Sequence, residues 1–393
     1  MSKPLRILYA AGPGNVIGTY NHWVKGEDDP TRVSVTYSGQ FYDACKKLNA
    51  EAYIIASRQD EVIIKDGQFT LEHRLMRWQK AGKILYHLGH LWYGLRLIAT
   101  TLRFRADVAI VADGTTYWFL LSLLSWWGVT IIPSIHCVLW HKYSTPSKKE
   151  QLLLNLNRRL FRQDCAAILV VSDIITQQIS QLTENQHQPI TRFSPIYRLD
   201  QFTSIAKPDL TQCPFRVLFV GRVEHNKGVF DLLEVAQQLV AEGRKDIVFD
   251  VCGDGSALES LRLAVKEAGM ECFFICHGYC QQAEMREMYG QSHVVIVPTR
   301  TNFVEGFNKV VVEGVLASRP VITSAVCPAL SDVKEAVFEV PPNSIEGYTQ
   351  AIRQLRDDQE LYKAKCEGQQ AVQAKFYDRS RGWGAKLTSY LSE

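Results

Sequence analysis

The segment His293–Ala325 constrains the fold of this chain more than any other stretch of its sequence. It begins as an apolar, β-branched run, breaks at Pro298 into a polar loop, resumes with a helical pattern near Lys309 and becomes extended again at Pro320. This order predicts a strand, a loop, a helix and a second, parallel strand. Because open α/β sheets bind ligands where such strands end, we expect the loop 299–308 to lie at a binding site.

Two glutamates, Glu305 and Glu313, flank the start of the predicted helix, with seven residues between them. If Asn308 caps the helix, Glu305 lies just before it and Glu313 one to two turns inside it, so that both carboxylates can face one ligand. Gly306 lets the backbone approach closely, and the free N–H groups of the first turn favour an anion or a hydroxyl oxygen. The pair therefore suits a polyhydroxy ligand, the alternative being two solvated residues.

The sequence PTRTNFVEGFNKVVVEGVLASRPVI resembles the E-x7-E motif of retaining GT-B glycosyltransferases. The motif is found in the large family, glycosyltransferase family 4, that includes many bacterial mannosyl-, glucosyl- and hexosaminyltransferases. The resemblance implies that Glu305 contacts the donor sugar and that Glu313 holds the ribose hydroxyls. It further implies that the backbone amides of Gly306, Phe307 and Asn308 touch the sugar or the phosphate.

A second strand, loop and helix is predicted from FRVLFVGRVEHNKGVFDLLEVAQQL, with the loop running from Gly221 to Gly228. The pattern excludes a nucleotide P-loop, because the lysine precedes the second glycine and no hydroxyl follows it. Arg222 and Lys227 remain as two fixed cations that suit a diphosphate. The same family carries V-G-R and K-G here, which implies that both residues hold the donor phosphates. The chain has no D-x-D motif, so we expect these cations to neutralise the leaving diphosphate without a metal.

Two further strand ends extend the predicted donor site. The run Ile247–Cys252 leads into a G-x-G at Gly253, where the family also has one. The next run, Phe273–Gly278, ends at His277, Gly278 and Tyr279, and the resemblance implies that this end receives the nucleobase, largely through backbone groups.

Cys272, Cys276 and Cys280, with His277 beside them, raise the possibility of a metal site. Their even spacing would put the thiols on one face of a strand, whereas zinc sites usually draw ligands from two separated turns. We therefore predict that these cysteines pack in the core.

The chain starts with a buried strand, Leu5–Ala10, followed by glycines at 12, 14 and 18. This G-x-G-x-x-x-G is one residue too long for the dinucleotide fingerprint, and no helical pattern is predicted promptly after it. The sequence thus argues against an oxidoreductase. In the resembling family the first loop approaches the donor phosphates and the acceptor, which implies a donor contact for Gly14.

His136 ends another predicted strand, again where a parallel sheet presents ligands. The family carries a histidine at this strand end that contacts the donor hexose, and His141 is the rival for that role. The preceding stretch, Gly114–Ile135, is uncharged and long enough for a bilayer. Because Gly128 and Pro133 interrupt it, we predict a buried helix and a strand instead.

The segment 71–105 interleaves basic residues with aromatic ones and has apolar residues at helical spacing. One interpretation is a membrane-surface helix with Arg74, Arg77, Lys80 and Lys83 toward anionic headgroups. The other is a core helix with a solvated basic edge. The core helix is the favoured interpretation, and the membrane-surface helix stays open because acceptors in the resembling family are often lipid-linked.

With 393 residues the chain is too long for one core. The resemblance implies the GT-B fold, in which two Rossmann-like domains face each other across a cleft. We predict an N-terminal acceptor-binding domain over 1–200, a C-terminal nucleotide-sugar-binding domain over 201–376, and a helix over 377–393 that crosses back to the first domain. The boundary follows from the linker-like composition between Pro195 and Pro214.

The net charge of +3 gives no argument for a nucleic-acid partner, and ten unevenly spaced cysteines fit a reduced compartment. The first residues do not resemble a secretory signal, so we expect a cytoplasmic protein, or one at the cytoplasmic face of the membrane.

Taken together, the sequence predicts a metal-independent, retaining glycosyltransferase that moves a hexose-type sugar to a hydroxyl acceptor, which is a glycan, a lipid-linked sugar or a small molecule. No cofactor is expected beyond the nucleotide-sugar co-substrate, with UDP or GDP favoured over ADP. Two alternatives stay open: a nucleotide-sugar epimerase on the same fold, and a catalytically silent, membrane-associated protein that binds sugar nucleotides.

Overall fold

The computed structural model describes residues 3–78 and 82–392. The chain forms two compact units. Unit 1 comprises the residues up to Trp140, Pro146–Tyr197 and those from Asp378 onward, and unit 2 comprises His141–Thr145 and Arg198–Tyr377.

The centre of unit 1 is an eight-stranded sheet. Its strands are β1 (Arg6–Ala10), β2 (Glu51–Ser57), β3 (Val62–Asp66), β4 (Phe69–Arg74), β5 (Val108–Ala112), β6 (Thr130–Ile135), β7 (Ile168–Val170) and β8 (Ile190–Arg192). They lie in the order β3-β4-β2-β1-β5-β6-β7-β8, and all neighbours are parallel except β3 and β4. The inner strands are continuous apolar runs because helices cover both of their faces, as the full burial of β5 illustrates.

Six helices connect these strands: α1 (Val16–Trp23), α2 (Tyr37–Leu48), α3 (Lys83–Phe104), α4 (Trp118–Ser125), α5 (Lys148–Arg159) and α6 (Asp173–Thr183). The predicted buried helix and strand over 114–135 are confirmed as α4 and β6. At α5 a capping box fixes the start of the helix, since Ser147 and Glu150 bond each other's backbone N–H groups.

Helix α1 corrects the prediction that no helix promptly follows the first glycine-rich loop. It begins at Val16 because the side chain of Asn15 accepts a hydrogen bond from the N–H of Gly18, at 2.9 Å, and so caps the first turn. The glycine spacing still departs from the dinucleotide fingerprint.

The segment 71–105 is also not one helix, as both interpretations of it assumed. Its first part is β4, which pairs with β3 in a hairpin, and α3 begins only at Lys83. Arg74 faces no solvent: it is 3% exposed and donates two hydrogen bonds to the carboxylate of Glu72, at 2.6 and 2.7 Å. Lys80 lies outside the described residues.

Unit 2 contains a six-stranded, all-parallel sheet with strands β9 (Phe215–Val220), β10 (Ile247–Cys252), β11 (Phe274–Gly278), β12 (Val294–Val297), β13 (Val321–Ser324) and β14 (Val337–Val340). Their order, β11-β10-β9-β12-β13-β14, is the Rossmann order 3-2-1-4-5-6. The predicted pair of Rossmann-like sheets is therefore confirmed.

Seven helices flank this second sheet: α7 (Val229–Ala241), α8 (Leu258–Glu267), α9 (Gln282–Gln291), α10 (Lys309–Leu316), α11 (Leu330–Val333), α12 (Ile345–Asp357) and α13 (Gln359–Tyr377). The last helix, α14 (Trp383–Ser392), packs on α2 of unit 1. Its Trp383 is fully buried and donates an indole N–H to the hydroxyl of Ser134 in β6, at 2.8 Å.

Within the described ranges, no helix is both long and apolar enough to cross a membrane.

A fully buried arginine holds three segments of unit 2 together. Arg319, just before β13, donates hydrogen bonds to the carbonyl oxygens of Ala317, Gly290 and Ala206, at 2.8, 2.9 and 2.6 Å. Burial lowers the pKa of Arg319 to about 10, which still leaves the guanidinium charged at neutral pH. No carboxylate in the described part of the chain pairs with it.

Replacing Arg319 by methionine should lower the free energy of unfolding by about 3 kcal/mol, because three buried carbonyl oxygens lose a charged donor. Urea unfolding of the two proteins measures the difference. Arg353→Met is the matched control, since Arg353 is partly exposed and its ion pairs with Glu242 and Glu346 contribute less than about 1 kcal/mol. Equal losses in both variants would contradict the role of Arg319.

Candidate functional site

Two loops leave unit 2's sheet side by side at its topological switch point. The strands β9 and β12 are direct neighbours, with Val217 opposite Val294 and Leu218 opposite Val295, yet the chain continues from them in opposite directions across the sheet. The loops 221–228 and 298–308 therefore share one edge of the sheet, at the carboxyl ends of parallel strands. This is the edge at which open α/β sheets bind ligands.

The closest contact between the two loops is an ion pair. The Nζ atom of Lys227 lies 2.9 Å from Oε2 of Glu305, and the two side chains are only 14% and 16% exposed. Asn308 donates its side-chain amide to the same carboxylate oxygen, at 3.4 Å. Three residues predicted from two separate motifs are thus in one cluster.

The prediction that the side chain of Asn308 caps the helix is wrong. Asn308 occupies the N-cap position of α10, but its side chain makes no capping hydrogen bond. The amide donates instead to Glu305 and, at 3.6 Å, to the sulfur of the buried Cys327. The first N–H groups of α10 consequently have no side-chain cap from Asn308, and Gly306 and Phe307 precede them as a buried and a half-buried residue.

Phe303 belongs to the cluster and was missed by sequence reasoning. Lys227 Nζ lies 3.7 Å from the centroid of its ring, and the guanidinium carbon of Arg222 lies 5.5 Å from it. Cations at these distances are attracted by the ring's quadrupole, so Phe303 gathers both predicted phosphate ligands on one surface. Arg222 is 61% exposed and pairs with Glu224 at 2.9 Å. The available signal was an aromatic residue in a mostly polar loop.

Two glycines are required because backbones approach closely at this edge. At Gly253, which follows β10, a Cβ atom would lie 1.7 Å from the carbonyl oxygen of Gly221. At Gly228, where φ is +78°, a Cβ atom would lie 2.2 Å from the carbonyl oxygen of Pro298. The predicted donor-site residues Gly221 and Gly253 are therefore in direct contact, and no larger residue fits at Gly253.

The residues predicted to receive the nucleobase, 277–279, lie at the end of β11, next to the loop that follows β10. The N–H of Gly253 donates to the carbonyl oxygen of Gly278 at 2.7 Å, and Tyr279 beyond it is exposed. His277 is held by the buried carboxylate of Asp250 at 2.8 Å, and Arg216 contacts the same carboxylate at 3.3 Å. Sequence reasoning missed Asp250, although a charged residue in the apolar run IVFDVC was the signal.

The cysteine cluster near this end differs from its prediction. Only Cys276 lies within β11, so the three thiols do not share one face of a strand, and Cys272 is exposed rather than in the core. Among the described residues, no group of three or more His, Cys, Asp or Glu side chains could hold a metal ion.

Glu313 lies within α10, away from the Lys227 ion pair, and its carboxylate is 3.5 Å from the hydroxyl of Tyr289. Burial raises the pKa of Glu313, while the charge of Lys309 and the hydrogen bond from Tyr289 partly oppose that rise. Glu313 forms no ion pair among the described residues, so its half-buried carboxylate is an acceptor for neutral donors such as hydroxyl groups.

Three candidate residues lie outside this cluster. Gly14 is half-buried in the loop between β1 and α1 of unit 1, and His141 belongs to the short segment assigned to unit 2. His136 follows β6 in unit 1, where its N–H donates to Asp113 at 3.1 Å and its ring lies 4.6 Å from that of Tyr37.

A relay of hydrogen bonds orients the His136 ring. Its Nε2 atom is 2.9 Å from the hydroxyl oxygen of Ser134, which already accepts the indole N–H of Trp383. The serine hydroxyl therefore has its own proton to donate to Nε2. Helix α14 thus fixes a predicted site residue of unit 1.

The sequence match to a known family lies within unit 2. Residues 200–368 match the family described as Glycosyl transferases group 1. The α-D-kanosaminyltransferase of Streptomyces kanamyceticus is 27% identical over 166 residues, 42% of each chain, and the 2-deoxystreptamine glucosyltransferase of that organism is 28% identical over 143 residues, 36% of each chain. The matches span less than half the length of these relatives.

Solved structures match over nearly the whole chain. Anabaena HepE in complex with UDP has a TM-score of 0.65 at 13% identity and covers 99% of this chain and 98% of its own. A trehalose-6-phosphate structure from E. coli bound with UDP-2-fluoro glucose has a TM-score of 0.72 at 12% identity and covers 99% of both chains. The fold is GT-B, as the sequence predicted.

Glu313→Gln should make the protein more stable at neutral pH. Because folding raises the pKa of this carboxyl above its ordinary value of 4.5, the folded state binds the proton more tightly than the unfolded state. Wild-type stability from this group is therefore present at low pH and lost as pH rises through the raised pKa. The glutamine variant lacks that loss, so urea midpoints should diverge with increasing pH. Parallel curves would contradict the assignment.

Proposed function

We propose that this protein is a retaining, metal-independent glycosyltransferase that moves a hexose-type sugar from a nucleotide diphosphate sugar to a hydroxyl acceptor. The observation that carries the proposal is the ion pair of Lys227 and Glu305 at the switch point of unit 2. It sets a cation suited to a phosphate beside a carboxylate suited to sugar hydroxyls. The family match over 200–368 and the sugar-transferring relatives support the same activity.

The ion pair would be exchanged for ligand contacts when the donor binds. Without a ligand, Lys227 is compensated by Glu305, and Arg222 by Glu224. A diphosphate supplies Lys227 and Arg222 with stronger acceptors, which frees Glu305 to accept hydrogen bonds from the sugar hydroxyls. Phe303 keeps both cations on one surface during this exchange, at 3.7 and 5.5 Å from its ring.

The remaining donor contacts follow from the E-x7-E motif. Gly306, Phe307 and Asn308 lead into the uncapped first turn of α10, whose N–H groups attract a sugar oxygen or a phosphate. Glu313 accepts the ribose hydroxyls, in line with its half-buried carboxylate. The base lies against the backbone at 277–279. Of the UDP- and GDP-linked donors, the UDP-linked one is supported by two similar structures that hold UDP or a UDP sugar.

The reaction proceeds by front-side attack. The oxygen of the acceptor hydroxyl bonds to the anomeric carbon on the face from which the diphosphate departs, so the configuration is retained. The bond between the anomeric carbon and the diphosphate oxygen breaks, and that oxygen takes the proton of the acceptor. Arg222 and Lys227 stabilise the charge that develops on the diphosphate, and His136 contacts the hexose by family resemblance.

Two other activities are separable from transfer. An epimerase on this fold would consume its nucleotide-sugar donor without any acceptor. A silent sugar-nucleotide-binding protein would bind the donor and release nothing. Only the transferase requires an acceptor. An assay of nucleoside diphosphate release, with and without an acceptor, therefore distinguishes the three.

Nucleoside diphosphate release should require both the donor and a hydroxyl acceptor. Lys227→Ala and Arg222→Ala should each lower kcat by about 10²-fold or more, because each removes a cation that acts on the leaving diphosphate. Release is measured across UDP-, GDP- and ADP-sugars, with candidate acceptors added or left out.

Lys245→Ala is the matched control, since Lys245 is exposed in the turn before β10, at the opposite edge of the same sheet. It should leave release unchanged. Nucleoside diphosphate release without an acceptor would favour the epimerase, and donor binding without release would favour the silent protein. Full activity of both alanine variants would contradict the roles assigned to Arg222 and Lys227.

We further propose that α3 rests on an anionic membrane surface. Its residues Ile84, Leu88, Trp92 and Leu95 recur at helical spacing, and each is at least 47% exposed. Large apolar side chains along one helix face are typical of helices that lie in a bilayer interface. Exposed Lys83 at the start of the helix adds attraction for anionic headgroups.

Wild-type protein should float with phosphatidylglycerol vesicles, whereas Leu88→Ser/Trp92→Ser should not, because the variant removes two apolar side chains from the proposed surface. Leu263→Ser is the control: Leu263 is an exposed leucine on α8 of unit 2. Circular dichroism checks that the variants fold. Undiminished flotation of the double variant would rule out this surface.

A further inference from the structure

A cavity of about 420 Å³ in unit 1 is lined by four arginines and a single carboxylate. It lies between α3 and the outer strands of the sheet. The cationic lining comes from Arg6 of β1, Arg74 of β4, and Arg96 and Arg103 of α3, and the carboxylate is that of Glu72. None of these residues belongs to the proposed donor site.

The register of the sheet explains how these side chains share one face. Ser57 pairs with Arg74 and Ile55 with Glu72 in the parallel ladder of β2 and β4, so that Arg74, Glu72 and Tyr53 alternate onto the same side. The C-terminal half of α3 covers that side. Its Arg96 and Arg103 lie at i and i+7, on one face of the helix.

Arg74, which lines this cavity, has one guanidinium nitrogen without a hydrogen-bond partner. Its Nε and Nη2 atoms donate to Glu72, and Nη2 also donates to the hydroxyl of Thr100, at 2.8 Å. Nη1 is buried and has no hydrogen-bond partner, although the residue is 97% buried. A buried guanidinium N–H without an acceptor costs free energy, and an acceptor oxygen supplied by a ligand would lower that cost.

Two of the four positive charges are compensated within the protein. Arg6 pairs with Glu51 at 3.2 Å, and Arg74 pairs with Glu72. The carboxyl of Glu72 stays ionised: burial would raise its pKa, but the hydrogen bonds and charge of Arg74, the bond from Tyr53 and the charge of Arg96 together lower it. Arg96 and Arg103 form no ion pair among the described residues, so the cavity keeps two uncompensated charges.

We propose that this cavity binds the phosphoryl group of a phosphate monoester or diphosphate. The free Nη1 of Arg74 and the two forks of Arg96 and Arg103 would donate to phosphate oxygens, which accept bidentate hydrogen bonds from arginine. A doubly charged phosphate balances the two uncompensated arginines. A cavity of this volume also leaves room for the group that the phosphate esterifies.

The phosphoryl group has two chemical sources. A soluble sugar phosphate or nucleotide would enter from solution, whereas a lipid phosphate would be presented by a bilayer. Both sources present the same phosphoryl group to the cavity, and the experiment has one arm for each source.

The test is hydrogen–deuterium exchange of the full chain, followed at residues 69–74 and 96–104. One arm adds inorganic phosphate against chloride at equal ionic strength, and the other adds vesicles with phosphatidic acid. In wild-type protein, exchange in both segments should slow in at least one arm. A local readout is needed because the donor site of unit 2 also attracts phosphate.

Arg96→Gln/Arg103→Gln should weaken this protection at least about tenfold in phosphate concentration, because each removed fork takes away charge-assisted hydrogen bonds. The pair makes no ion pairs, so the variant should fold. Arg96→Lys/Arg103→Lys keeps the charge without the forks and should give intermediate protection. Lys25→Gln/Lys149→Gln removes the same charge from exposed positions outside the cavity and should behave as wild type.

Protection in the phosphate arm alone assigns a soluble ligand, and protection in the vesicle arm assigns a lipid phosphate. The proposal is overturned if wild-type protein shows protection in neither arm, or if the glutamine and lysine variants are both protected as strongly as wild type.

Discussion

The parallel pairing of β9 with β12 is the constraint on which the candidate site depends. These strands are neighbours in the sheet although 73 residues of chain, from 221 to 293, separate them. The pairing brings two loops of unrelated composition to one edge, and the Lys227–Glu305 contact follows from it. Gly228 and Gly253 keep the loop backbones close enough for that contact, since a Cβ atom at either would collide with a carbonyl oxygen.

Much of this arrangement could be predicted from sequence, because buried parallel strands are continuous apolar runs and their loops are marked by glycine. The failures occurred where a local pattern was ambiguous or a partner was remote. Strand β4 was mistaken for helix because Arg74 looked solvated, while its partner Glu72 lies two residues away on the same strand face. Asn308 suited a helix cap, but Glu305 and Cys327 compete for its amide. Phe303 and Asp250 act through contacts that no spacing rule encodes.

The two groups of cations in this protein differ in how they are compensated. In unit 2, Lys227 and Arg222 each have a carboxylate partner, so the charges are balanced without a ligand and can be exchanged when one binds. In unit 1, Arg96 and Arg103 have no such partner among the described residues, and Arg74 retains an unsatisfied donor. The first arrangement suits a ligand that comes and goes during turnover. The second suits an anion whose binding completes the local structure.

The hydrogen bond from Trp383 to Ser134 has a consequence for how the polypeptide becomes folded during its synthesis. Residues 198–377 form most of unit 2, and they lie in the chain between the main part of unit 1 and the helix that covers it. The ribosome therefore completes unit 2 before α14 exists. Until that helix docks, Ser134 lacks its indole donor and the aromatic side chains around Tyr9 lack Trp383, whose ring lies 5.2 Å from that of Tyr9. The surroundings of His136 are therefore completed only after the last helix has been synthesised.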